Sequence, residues 1–543
     1  MNEEYYEESH AEYQEPENRL PEWLKDSPYW LIAVLVHVVF LLIAATIVVF
    51  EKSLEEEQAR TIVRRETKRE EYDPNKKRDI DRKPEILKPQ EKNPLLQLKP
   101  DKISKTPKGT DLNNKTNKNL SNTSIDDAIG TSGAGAGAYG NRFGRGSLNR
   151  EGGSEATESA VLAALHWLRR HQNPDGSWSS SDFLSKCDSQ KYGAICTHAD
   201  ATKAYEERGV GFEGYDIGVT GLAMLAYLGY GHTHKDGEYP EFREVMKKAM
   251  NWMLKQQVKS GDEKTKGLFG APSEAVDEWV YNHAIASMAM AELLVMSQDK
   301  IRLARPVSSA AEWILSAQNP GTKTARLGWK YGYVDGYNDT SVSGWMVLAL
   351  KAIKACSALK LIKLSPEDYK QSIDGAIAWI ESCTGSRSGK TGYQSPGDEG
   401  SKLLSFYGDE YPFSKDLSCM TAVGVLCRLF AGQTRREDKL KMGVDLLMEE
   451  LPEWTPQTGR RQSKINMYYW YYATYALFQF GGTKWKDWNE AMIEALVRNQ
   501  RVGGCEDGSW DPIGEWGAAG GRVYATAIGA MTLEVYYRYV RAQ

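Results

Sequence analysis

The sequence is poor in cysteine, has little excess of either charge, and over one long stretch has almost nothing to bury. It holds 7 Cys in 543 residues. The odd number excludes a complete disulfide framework, and no C-x-x-C pair is present to suggest structural zinc or thiol redox chemistry. Cys187 and Cys196 could bridge a loop in an oxidising compartment. Cys419 and Cys427 sit in an apolar run and read as buried free thiols. Lys and Arg number 68 against 73 Asp and Glu, for a net charge of −5. That balance gives no general pull toward nucleic acid, and no nucleic-acid-binding motif is present. From Asp73 to about Arg150 apolar clusters are missing. Pro74, Pro84, Pro89, Pro94, Pro100 and Pro107 recur among charged residues, and NNKTNKNLSNTS and GTSGAGAGAYGNRFGRG follow. This composition predicts a disordered linker, reaching roughly 50 Å on average.

One long hydrophobic run is present. Tyr29 to Phe50 reads YWLIAVLVHVVFLLIAATIVVF and carries no formal charge. It is long enough to cross a hydrocarbon core of about 30 Å. Pro28 precedes it, and Tyr29 and Trp30 suit the interface. The acidic stretch before it and the poor A-A-T end argue against a cleaved signal peptide. Lys52, Arg60, Arg64, Arg65, Lys68 and Arg69 follow it, against Arg19 and Lys25 before it. By the positive-inside rule the C-terminal part would stay in the cytoplasm. The segment also resembles TonB-type anchors, which implies the opposite side, and the extracytoplasmic side is the expectation taken. The predicted division is an acidic tail at 1–28, a transmembrane helix at 29–50, a linker at 51–150 and a helical domain at 151–543.

Within the last of these a unit recurs. A helix ends in Trp, a Gln follows five residues on, and a Gly-aromatic turn comes later. Trp167, Gln172, Gly176 and Trp178 form the first copy. Trp252, Gln257, Gly267 and Phe269 form the second, and Trp313, Gln318, Gly328 and Trp329 the third. The fourth has Trp379 and Gly392-Tyr393, with Thr384 in place of Gln. The fifth is degenerate around Leu446 to Trp454. The sixth has Gln500, Gly508 and Trp510, with Ala495 where Trp is expected. After each turn comes a helix rich in small residues, such as DIGVTGLAMLAYLG from Asp216 and DTSVSGWMVLALKAI from Asp339. These have no polar face and should be buried all round, whereas the Trp-bearing helices keep one. One hairpin cannot bury its apolar face alone, but a closed set of six can.

The pattern resembles the QW motif of squalene and oxidosqualene cyclases and the repeat of protein prenyltransferase β subunits. The resemblance covers residues 160 to 540. It implies an all-α fold, an (α/α)6 toroid of six helical hairpins, in which Gln172, Trp178, Gln318, Trp329, Gln500 and Trp510 are structural. A class II cyclase of that family protonates an alkene or epoxide from a D-x-D-D-T acid, with aromatic faces to hold the cation. Here Gly336-Tyr337-Asn338-Asp339-Thr340 keeps only Asp339 and Thr340, so the acid motif is incomplete. The D-x-C spacing of the prenyltransferase zinc site is absent, as is the G-C-G-E-Q run of α-macroglobulin-like thioesters. No metal and no cofactor is expected.

Asp339 is the candidate acid, although an Asp before T-S-V-S-G-W also suits a helix N-cap, as does Asp216 before I-G-V-T. Polysaccharide lyases share the toroid and need a carboxylate neutraliser and a Tyr or His base. Asn282 and His283 at one inner-helix start, with Arg522 and Tyr524 at another, supply those residue types. The aromatic run from Tyr468 through Trp470 and Tyr471 to Tyr472 wraps every face of a helix. With Trp279 and Trp345 it suits an apolar polycyclic or isoprenoid ligand, or stacking on sugars. Three readings stay open: a membrane-tethered toroid that binds, or binds and transforms, an isoprenoid-like lipid, a non-catalytic scaffold, and a glycan-active toroid. The expected partners are the lipid bilayer and an isoprenoid or other apolar ligand.

Overall fold

The computed structural model of the chain describes residues 152–186, 209–272, 279–398, 418–456 and 463–538. All of them belong to the second of two units into which the chain divides, Lys77–Gln543. The tail, the apolar stretch 29–50, the linker, Cys187 and Cys196 lie outside the described residues. Among those described, no helix is long and apolar enough to cross a membrane.

The described residues are helical, with isolated bridges and no strand. In chain order the helices are α1 (Glu155–Arg170), α2 (Asp216–Gly229), α3 (Pro240–Gln256), α4 (Trp279–Ser297), α5 (Lys300–Ala317) and α6 (Thr340–Ala358). Then come α7 (Pro366–Ser382), α8 (Cys419–Phe430), α9 (Asp438–Glu449), α10 (Met467–Phe480), α11 (Gly482–Val497), α12 (Gly517–Leu533) and the short α13 (Val535–Arg538).

Two classes alternate, as the patterning predicts. The even-numbered helices are buried nearly end to end: in α10 every residue from Met467 to Gln479 is buried. Of the odd-numbered ones, α3, α5, α7, α9 and α11 bury one stripe, in α3 Phe242, Val245, Met246, Ala249, Met250 and Met253, whereas α1 is buried on every face from Ala160 to Leu168. Each buried helix packs on the next in the order α2, α4, α6, α8, α10, α12, and α12 packs back on α2 and on α1. Small residues set the close approach. A Cβ on Gly218 of α2 would strike the Asn282 side chain of α4, and one on Gly344 of α6 would strike Val423 of α8.

The repeated Gln and Trp have repeated jobs. Gln172 Nε2 donates to Gly176 O and to Val245 O of α3, both at 3.0 Å. Gln257 does the same to Gly267 O and to Pro306 O of α5. Gln318 serves Leu327 O and Ser372 O of α7. Gln500 serves Gly508 O and, at 2.7 Å, Ala160 O of α1. One amide thus ties its own turn to a backbone carbonyl within the next odd-numbered helix, or for Gln500 within α1. Trp178, Trp329 and Trp510 each donate an indole N–H to the helix end before the turn, at Leu168, Ile314 and Leu496. Gly176, Gly267 and Gly508 have φ of +104°, +92° and +87°. A Cβ there would strike the backbone of Lys248, Ser309 and Ala163. Each lies three residues beyond the carbonyl that the matching Gln engages. Glycine in these turns meets both a left-handed backbone and a close approach.

Candidate functional site

The turns feed directly into the buried helices. The backbone N–H of Trp178 donates to Thr220 Oγ1, and those of Phe269, Trp329, Thr391 and Trp510 donate to His283, Ser343, Thr421 and Thr526. This corrects the register of the fourth repeat. Thr391, not Tyr393, holds the position of Trp178, Trp329 and Trp510. Tyr393 lies two residues further on, where the third repeat has Tyr331.

That shift places Tyr331 and Tyr393 together at Asp339. Asp339 is fully buried and is the N-cap of α6, as its position predicts: Val342 N–H donates to Oδ1 at 2.6 Å. Its backbone N–H is fixed by Trp329 O. The Tyr393 hydroxyl donates to Oδ2 at 3.1 Å, and the Tyr331 and Tyr393 hydroxyls are hydrogen-bonded to each other. Burial pushes the Asp339 carboxyl up to about 7, against the opposing pull of the Val342 N–H and the Tyr393 hydroxyl. Burial therefore favours the protonated acid without the partner carboxylates of a D-x-D-D-T motif.

Aromatic side chains from three other helix starts complete the surroundings. Ser341 Oγ pairs with Tyr468 Oη at 2.8 Å. Tyr468 and Trp516 have ring centroids 6.2 Å apart, Trp516 and Tyr281 6.0 Å, and Tyr281 and Tyr331 6.1 Å. Asp339, Ser341, Tyr468, Trp516, Tyr281, Tyr331 and Tyr393 thus form a closed circuit with one carboxyl. The Tyr281 hydroxyl is buried without a hydrogen-bond partner, and burial raises its phenol well above the usual value, so it stays a donor. Beside Trp516, the buried Glu515 accepts from Asn466 Nδ2 at 3.1 Å, and that amide also contacts Cys419 Sγ.

The other candidates divide. Trp345 stacks on Tyr471 at 5.8 Å and meets Tyr472 edge-on, so these extend the aromatic interior beyond Tyr468. Trp470 turns the other way, toward Trp454 in the segment after α9. Trp279 is half-buried and packs edge-on to Trp313. Asp216 is not the N-cap of α2: it is its first residue, and its carboxylate accepts from the backbone and hydroxyl of Ser180. Asn282 caps that helix instead, accepting from Gly218 N and donating to Gly214 O. Tyr524 is partly buried, its hydroxyl without a partner.

His283 and Arg522 are each held by a turn. His283 is fully buried, its Nδ1 taking the Phe269 N–H and its Nε2 lying 3.4 Å from Ser287 Oγ. Burial lowers it to about 3, which makes it a pin for the second turn and a poor base. Arg522 is buried against Asp511, 2.6 Å away, and Ser509. It holds the sixth turn and is not a free neutraliser for a ligand carboxylate. Among the described residues no cluster suits a metal ion.

Reading the sequence missed Tyr281, Tyr331, Tyr393, Trp516 and Glu515. One signal was present: the third and fourth repeats both place Tyr just after the turn, where the first has Ser180 and the sixth Pro512.

By sequence, the chain matches no protein-family model and no curated protein. By structure, it is similar to the apo form of the type II terpene cyclase MstE from Scytonema, at 11% identity and TM-score 0.41, over 70% of this chain and 97% of that one. A variant of that enzyme in complex with geranylgeranyl dihydroxybenzoate aligns at 12% identity and TM-score 0.40, over 72% and 98%. A protein from Actinoplanes aligns at 13% and 0.39, over 70% and 99%. Likenesses of this size assign no activity to this chain.

Proposed function

We propose that residues 151–543 close into an (α/α)6 toroid of the squalene cyclase and prenyltransferase kind. Residues 29–50 tether it to a membrane through the linker 51–150, with the toroid on the extracytoplasmic side. The toroid takes an isoprenoid-like lipid against its aromatic inner wall and protonates it from Asp339. The observation that carries this reading is Asp339 itself: a fully buried carboxyl, raised to about 7 and bounded by Tyr281, Tyr393 and Tyr468. A neutral acid in an aromatic enclosure suits protonation of an alkene, because the π faces stabilise the resulting cation. The cyclic packing of the buried helices and the Gln bridges support the toroid.

The test uses full-length protein in detergent with squalene and with geranylgeranyl dihydroxybenzoate. Binding is read from tryptophan fluorescence and conversion from mass spectrometry. Saturable binding and an isomer of unchanged mass are expected. Asp339→Asn should bind the same lipid but convert it about 10²–10⁴-fold more slowly. Failure of both lipids to bind, or undiminished conversion by Asp339→Asn, would overturn the reading. For the membrane side, protease added to intact spheroplasts should degrade the toroid; protection would place it in the cytoplasm.

A further inference from the structure

We infer that Tyr331 and Tyr393 form a two-residue proton wire that recharges Asp339 from solvent. The inference rests on the reading of Asp339 as the acid. An acid sealed inside a protein faces a difficulty after each turnover. Once its proton has gone to a ligand carbon, burial that kept it neutral also keeps water from restoring it.

The hydrogen bonds supply a route. Tyr393 has one hydroxyl proton, and in the structure it is donated to Asp339 Oδ2. In the bond between the two phenols Tyr331 must then be the donor and Tyr393 the acceptor. The donors therefore run in one direction, from Tyr331 through Tyr393 to the carboxylate. Tyr331 is only partly buried and lies beside an exposed loop that carries Tyr337. The Lys330 ammonium lies 5.7 Å from its ring centroid and 5.5 Å from that of the exposed Tyr337, so the Tyr331 side is the one nearer solvent. The two phenols occupy equivalent positions in consecutive repeats, so the repeat itself brings them to one carboxyl.

The step balances without an oxidant or reductant. The Asp339 O–H bond breaks, its electron pair stays on the carboxylate, and the alkene π pair forms the new C–H bond. Hydronium at the solvent end then gives a proton to Tyr331 as the Tyr331 proton moves to Tyr393 and the Tyr393 proton to Asp339, so no phenolate forms. The proton lost when the cyclised cation collapses to an alkene returns to bulk water. Tyr331 and Tyr393 act through Asp339 and are positioning residues.

The test reads the carboxyl proton directly and needs no substrate. Full-length protein at a pH of about 5, where a carboxyl with a raised pKa is protonated, is mixed rapidly into D₂O. The C=O band of the protonated carboxyl is followed by infrared spectroscopy and assigned by its loss in Asp339→Asn. Tyr331→Phe should leave the band in place but slow its deuterium shift by about tenfold or more. Tyr393→Phe should slow exchange likewise and also move the band, because it removes the hydrogen bond to Oδ2. Exchange in Tyr331→Phe as fast as in the parent protein would overturn the wire, as would absence of any band lost in Asp339→Asn. Lipid binding and conversion are separate measurements, so a working wire in a protein that converts neither lipid would sink the proposed function alone.

Discussion

Gln500 donates its side-chain amide to the carbonyl of Ala160, 340 residues earlier in the chain, at 2.7 Å. The same region holds a second long-range bond, from the Trp167 indole N–H to Cys505 O at 2.9 Å. The last repeat therefore joins the first with the bonds that link neighbours elsewhere: Trp313 likewise donates to Lys264 O of the preceding repeat. A linear stack would leave these partners at two free ends.

Gln500→Ala leaves Ala160 O and Gly508 O without their side-chain donor. Each lost bond should cost about 0.5–1.5 kcal/mol. Chemical denaturation would measure it, with Gln172→Ala and Gln318→Ala as comparisons. A change below about 0.5 kcal/mol would mean that this junction contributes little.

The fourth repeat replaces Gln with Thr384, and Arg428 compensates. The Arg428 guanidinium is buried, donates to Thr384 Oγ1 at 3.1 Å and pairs with Glu381 at 2.6 Å. Arg428→Met should destabilise by about 1–3 kcal/mol. The double change Arg428→Met with Thr384→Gln should recover part of that loss by rebuilding the amide bridge. A double variant no more stable than Arg428→Met would show that the arginine has a different task.

Arg538 lies fully buried between Glu292 of α4 and Glu534, at 2.6 and 3.4 Å. It also donates to Leu225 O of α2 at 2.6 Å. A Cβ on Gly229 would collide with both Glu534 and Arg538. Gly229→Ala should break this group and lower stability by about 3–5 kcal/mol, the usual effect of disrupting a buried pair. Thermal melting would show it, and an unchanged Tm would mean the group relocates freely.

Asp339 should give the folded protein a distinctive pH dependence. Its folded pKa is raised to about 7 from an ordinary value of 3.8, so the folded state keeps a proton that the unfolded chain releases. The contribution is full below about pH 4, declines as pH rises and is gone above about pH 7. Asp339→Asn keeps an N-cap and removes this titration. Relative to the parent, it should gain a few kcal/mol between pH 4 and 8. Parallel stability curves would place the carboxyl at its ordinary value.

His283 should behave in the opposite sense. Burial lowers its pKa from 6.5 to about 3, so it favours the folded state above pH 6.5, and that contribution is lost progressively as pH falls toward 3. Its imidazole should show no NMR titration between about pH 7 and 5. A midpoint near 6.5 would contradict its burial.

The sequence by itself determined the alternation of buried and half-buried helices. Period and side-chain size dictate which face of a helix meets solvent, and small residues dictate how closely two backbones approach. It also determined Asp339 as an N-cap, which depends on neighbours within one turn. Asp216 failed that reading because Ser180, a partner 36 residues away, takes its carboxylate. The surroundings of Asp339 were decided only by the tertiary structure. Tyr393 is 54 positions from it, and Ser341 meets Tyr468 across 127. No local pattern encodes such meetings; they follow from stacking successive turns side by side. Burial is likewise a property of the assembled helices, and it is burial that raises the Asp339 carboxyl and makes His283 a neutral pin.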